Sequence, residues 1–187
     1  MEDEIEKACQ ILREGGVILY PTDTVWGIGC DATNEDAVRK IYEIKRRADA
    51  KSMLVLLDSS AKLKLYLALP PAIDPEAAEI AGKPTTVIYP GAVNVAPSLI
   101  AEDGSLAIRI TKEHFSRELC RQFGKPVVST SANISGQPAP GNFSKINDEI
   151  IRSVNYAVNY RRTDRSVARP SRIVKAGAGG LMDIIRK

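Results

Sequence analysis

Apolar runs in this chain are short, rich in β-branched residues, and separated by stretches with helical spacing. The runs at 17–20, 53–57, 85–89, 106–110 and 126–129 have the length of buried strands and fall far short of the ~20 residues that cross a membrane. Between them, Ile5, Ala8, Cys9 and Leu12 share one helical face that Gly15-Gly16 closes. Thr33 or Asn34 can cap a second helix bearing Ala37, Val38, Ile41 and Ile44. Ser59-Ser60 opens a third, ended by Pro70-Pro71, and a fourth spans 113–123 and stops at Gly124. Runs at 156–160, 171–174 and 181–185 read as closing strands, the last two joined by the turn-forming stretch 176–180. The alternation holds without repeat or low-complexity tract, so 187 residues are expected to form a single mixed α/β (α+β) domain over 1–187.

Composition narrows the chemistry. Twenty-six Lys and Arg stand against 23 Asp and Glu, a net charge of +3, and 44% hydrophobic residues describe an ordinary globule. The acidic start, Met1-Glu2-Asp3-Glu4, is unlike a secretory signal, and a cytoplasmic protein with no membrane segment is expected. Cys9, Cys30 and Cys120 form no CxxC pair, so a disulfide framework or zinc-thiolate site is not expected. His114 is the only histidine; it opens a helix pattern and reads as solvated. Any activity must therefore rest on charge, hydrogen bonding and positioning.

Four segments carry polar groups in unusual density. Tyr20-Pro21-Thr22-Asp23-Thr24-Val25-Trp26-Gly27-Ile28-Gly29-Cys30 leaves a strand through proline and gathers two hydroxyls, a carboxylate and an indole; it reads equally as a ligand loop or as a plain strand–turn–strand. From Arg39 to Lys51 there are six basic and two acidic residues, suited to a polyphosphate or to a solvated helix end. Ser129-Thr130-Ser131-Ala132-Asn133-Ile134-Ser135-Gly136 places four hydroxyls and an amide after a buried strand, where α/β folds bind ligands. It contains no G-x-S-x-G elbow, and neither GxxxxGK[ST] nor GxGxxG occurs anywhere in the chain. Finally, Arg161, Arg162, Arg165, Arg169 and Arg172 surround Asp164 alone, as in a mobile basic loop that folds over an anion, a tRNA-facing surface, or a solvated loop.

Taken together, these segments resemble the YrdC/TsaC family of threonylcarbamoyl-AMP synthases. The family run PTDTVYGLGCDA is matched from Pro21 to Ala32 with Trp26 for tyrosine, KxR by Lys45 and Arg47, SxN by Ser131 and Asn133, and PSTIV by Pro170-Ser171-Arg172-Ile173-Val174. Ile184-Ile185-Arg186 resembles the closing strand. The resemblance implies a twisted mixed sheet of the YrdC-like type with a large basic cavity. It implies synthesis of threonylcarbamoyl-AMP and pyrophosphate from L-threonine, bicarbonate and ATP, for a tRNA-modifying threonylcarbamoyl transferase system downstream. By the same resemblance, Lys45 and Arg47 are catalytic, and Lys45, Arg47, Lys51, Ser131, Asn133 and Arg186 bind ATP. Thr22 or Thr24, Arg109, Thr130 and Ser171 hold threonine, with Arg109 on its carboxylate. Mg²⁺ rides on the ATP phosphates, with no metal caged by protein. Ala48, Ser52-Met53, Ile110-Thr111 and Arg172 depart from the family pattern, Arg172 adding a charge expected close to the threonine pocket. Two alternatives remain at this point: another carbamoyl-adenylate, as in the related domain of hydrogenase maturation proteins, and a module that binds tRNA or double-stranded RNA without synthase activity.

Overall fold

The computed structural model describes residues 1–46, 53–71, 73–75, 83–166, 170–177 and 182–186. Its strands are β1 Ile18–Tyr20, β2 Gly27–Gly29, β3 Leu54–Leu57, β4 Thr85–Tyr89, β5 Leu106–Ile110, β6 Val127–Ser131, β7 Tyr156–Ala157, β8 Arg172–Ala176 and β9 Met182–Arg186. They form one mixed sheet in the order β7-β1-β2-β6-β3-β5-β4-β8-β9. The pairs β1/β7, β3/β5 and β4/β8 are parallel and the remaining neighbours antiparallel.

The helices are α1 Glu2–Arg13, α2 Glu35–Ile44, α3 His114–Phe123 and α4 Asp148–Ser153, and the last three open on a side-chain cap. Asn34, not Thr33, caps α2 by accepting Ala37 N–H at 3.1 Å. Thr33 is taken by the Asp31 carboxylate, which accepts both its N–H and its hydroxyl. Glu113 caps α3 through Ser116 N–H, and Gly124 ends it in the left-handed region at φ 82°. His114 is exposed, in agreement with a solvated reading.

Strand alternation assigns two cores. Ile18, Tyr20, Leu56 and Val127 point to the face covered by α1 and α3, where Ile5, Leu12, Phe115 and Leu119 bury them. Leu19, Val55, Leu57 and Val128 point to the other face and pack with Val38 and Ile41 of α2. Burial on both faces explains why these strands read as unbroken apolar runs. All three cysteines are buried and unpaired, and burial pushes their thiols up, leaving them inert.

Several boundaries differ from the sequence reading. The expected third helix is a 3-10 stretch, Ser60–Leu65, capped by Ser59. The strand expected at 156–160 is only Tyr156–Ala157, and α4 precedes it unannounced. β9 runs to Arg186, while Leu181 and the turn residues Ala178 to Gly180 lie outside the described residues.

Candidate active site

On the face that α1 and α3 cover, the next positions along the sheet lie outside the helical cover. Here the alternation that buries Leu56 and Val127 presents Arg109 and Ala107 of β5, Thr86 and Ile88 of β4, and Ser129 of β6 to a cavity of about 390 Å³. Thr24 from the loop before β2, Thr130, Ser131 and Asn133 from the end of β6, Ser171 and Ile173 at β8, and Arg186 of β9 complete its wall.

Arg109 is buried, and its Nη2 meets Asp23 Oδ1 at 2.9 Å and Thr24 Oγ1 at 3.3 Å. Its Nε is buried without a hydrogen-bond partner. Asp23, which the sequence offers either as a polar group of a ligand loop or as a turn residue, thus neutralises the cation that the resemblance assigns to a carboxylate. Thr22 accepts Thr24 N–H at 3.1 Å and donates to Val25 O at 2.7 Å, so it shapes this loop from within. It faces a separate small pocket beside Trp26, Arg161 and Asp164 and is not on the main cavity wall; of the two threonines offered, Thr24 is the one that lines it.

Opposite, Ser171 Oγ and Thr86 Oγ1 lie 2.8 Å apart. Arg186 donates from Nε and Nη2 to Ser171 O at 2.9 and 2.6 Å. Desolvation first, and then the charge of Arg109, push the Arg186 guanidinium down from its ordinary range. Two cations share one cavity, and among the described residues only Arg109 has a close carboxylate, so the excess positive charge these residues place at the wall comes from Arg186. Asn133 spends its Nδ2 protons on Ile134 O at 3.0 Å and Gln137 O at 2.7 Å, which leaves Oδ1 buried and without a partner.

Other expected residues fall elsewhere. Lys45 does not line the cavity: it is 1% exposed, and its Nζ donates to Ser131 O at 2.5 Å and Asn133 O at 2.7 Å. Arg47, Ala48, Lys51 and Ser52 lie outside the described residues. Arg172, expected close to a threonine pocket, does not line the cavity. Ser171 and Ile173 line the cavity, and the period-two alternation of a strand puts the intervening arginine on the opposite face. Thr86 was missed by the sequence reading; a hydroxyl inside the apolar β4 run was its only signal.

The Sua5/YciO/YrdC family model, described as telomere recombination, matches residues 10–187. The chain belongs to this family. A threonylcarbamoyl-AMP synthase of Xanthomonas euvesicatoria is 32% identical over 96% of each chain. Its counterpart in Stenotrophomonas maltophilia is 35% identical over 79% of this chain and 81% of that one, and one in Escherichia coli is 37% identical over 73% of each. Among solved structures, Sua5 of P. abyssi superimposes with a TM-score of 0.80 at 24% identity, and this chain spans about half its length, 53%. E. coli YciO superimposes with a TM-score of 0.78 at 20% identity over 90% of its length. At those identities the superpositions establish the family fold: a mixed α/β sheet in one domain. Another P. abyssi Sua5 structure holds L-threonine. Within this Sua5/YciO/YrdC frame, the loop from Pro21, the SxN turn and the closing arginine of β9 converge on one cavity. No group of three or more His, Cys, Asp or Glu among the described residues is placed to hold a metal ion, and no described helix is long and apolar enough to cross a membrane.

Proposed function

We propose that this chain is an L-threonylcarbamoyladenylate synthase, a nucleotidyltransferase acting on L-threonine, bicarbonate and ATP. The observation that carries the reading is the convergence of two guanidinium groups, a row of hydroxyls and an asparagine on one cavity in a chain whose relatives bear that name. The reaction asks for this inventory. The threonine amine adds to bicarbonate carbon and water leaves, giving a carbamate. A carbamate oxygen then attacks the α-phosphorus of ATP, the bond to the β-phosphate oxygen breaks, and pyrophosphate departs. Both steps use substrate nucleophiles, so the protein supplies positioning and charge neutralisation.

In this reading Arg109, held by Asp23, presents its remaining donors to the threonine carboxylate, with Thr24, Thr130 and Ser171 around the rest of the amino acid. Ser131 and Asn133 orient the nucleotide from the end of β6. Arg186, together with Arg47 and Lys51, faces the phosphates, whose own oxygens would carry Mg²⁺. The adenylate then passes to a tRNA-modifying threonylcarbamoyl transferase, and we assign the reaction to the cytoplasm. An RNA-binding module is disfavoured by the arginines it needs: Arg161 is paired with Asp164, and Arg162 donates to Val158 O and Ala157 O.

The test is pyrophosphate release. We expect it only when ATP, threonine and bicarbonate are all present; equal turnover of ATP with either of the others omitted would sink the proposal.

A further inference from the structure

Lys45 occupies an unusual place for a motif cation. It caps the C-terminal end of α2, its side chain is among the largest fully buried ones, and it stays off the cavity wall. Its Nζ donates to Ser131 O and Asn133 O, while its own carbonyl accepts Ser135 N–H at 2.9 Å. One residue thus stitches α2 to the turn after β6 at three points. A buried ammonium needs such hydrogen bonds, because taking its charge out of water without partners costs far more than any packing returns.

The turn so held is the one whose side chains reach the cavity. Drawing the Ser131 and Asn133 carbonyls toward the lysine keeps their lone pairs away from an anionic ligand and leaves both side chains at the wall. The Asn133 amide is fixed further by its bonds to Ile134 O and Gln137 O. A shift of this turn therefore displaces Ser131 and Asn133 together, and displacements of about 1 Å can cost on the order of 100-fold in rate.

We infer that Lys45 is a positioning residue, setting Ser131 and Asn133 for the nucleotide through their backbone, and does not touch phosphate; the inference rests on the synthase reading above. It predicts coupling. Lys45→Met and Asn133→Ala should each lower kcat/KM for ATP by about 10- to 100-fold, and the double variant should fall no further than the worse single one. Losses that multiply would mean that Lys45 meets the substrate on its own and would overturn the inference. A purely structural lysine would lower the melting temperature and leave kcat/KM per folded molecule unchanged, which also overturns it.

Should Lys45→Met fail to fold, the wild-type chain decides. Under reductive methylation with formaldehyde and cyanoborohydride, Lys45 should stay unmodified with and without ATP while exposed lysines react. Methylation of Lys45 in either condition overturns the inference. A wild-type chain that releases no pyrophosphate sinks the synthase reading alone, and the same cycle is then read in ATP affinity by calorimetry.

Discussion

Arg109 and Asp23 illustrate how much of the site is decided between single residues. Their side chains are 3% and 12% exposed, and the 2.9 Å pair is the only close carboxylate contact of Arg109 among the described residues. Removing one partner of such a pair leaves an uncompensated buried charge, at a cost of about 3–5 kcal/mol. Asp23→Asn should therefore lower unfolding free energy by about 3 kcal/mol in urea titrations. Adding Arg109→Met to it should restore much of the loss, since the stranded charge is gone. Wild-type stability in Asp23→Asn would show that the cavity itself solvates the guanidinium. The sequence displays Arg109, Ser131, Asn133 and Arg186 through their motifs, and all four line one cavity. It does not display the partners, because pairings such as Thr86 with Ser171 and Arg109 with Thr24 each span 85 positions and depend on strand register.

At the scale of elements, β2 shows what composition conceals. Gly27-Ile28-Gly29 offers one apolar side chain, so it reads either as part of a ligand loop or as the second arm of a strand–turn–strand; it is such an arm, paired with β1 and β6. The glycines are there for close approach: a Cβ on Gly29 would lie 2.5 Å from Val128 O and 2.7 Å from the Tyr20 ring. The Tyr20 hydroxyl in turn donates to Val128 O at 3.2 Å, so the ring is wedged across β2 onto β6. Gly29→Ala must move backbone, and should cost about 1–3 kcal/mol or more, with loss of synthase activity as β6 carries Ser129 to Ser131 out of place. Gly104→Ala is the control: φ is +74° but nothing lies within 4 Å of its Cβ, so the penalty is backbone strain of about 1–2 kcal/mol with activity retained. A milder effect at Gly29 than at Gly104, read from thermal melts, would reject the packing argument. The same logic separates legible elements from the rest. The apolar strands and α1 to α3 carry their own periodicity, whereas β2, the 3-10 stretch and the six-residue α4 are too short to show one, although Ser59 and Asn147 cap the last two.

Over the whole molecule, the distribution of cations argues about partners. A net charge of +3 with two local excesses suggests an RNA surface until the contacts are followed. Arg39 pairs with Glu35, Arg46 with Glu149, and Lys40 donates to Gly15 O. Arg161 joins Asp164 at 2.9 Å and Glu113 at 3.5 Å, tying the segment after β7 to the start of α3. Arg162 lies 4.8 Å over the Phe143 ring, which in turn packs on Trp26, whose carbonyl anchors Ala132 in the SxN turn. Arg161 and Arg162 are spent on the fold, whereas Arg39 and Arg46 stay 68% and 66% exposed in surface pairs, so counterion release from RNA would have to come from residues of that second kind. Arg161→Ala and Arg162→Ala should therefore lower the melting temperature by a few degrees, about 1 kcal/mol each. Duplex-RNA affinity and its salt slope should stay at the wild-type level in both. If either substitution instead weakens RNA binding by tenfold and flattens the salt slope while melting is unchanged, these side chains face phosphate in solution. The molecule would then have to be read as one that meets tRNA directly, alongside the small substrates of its cavity.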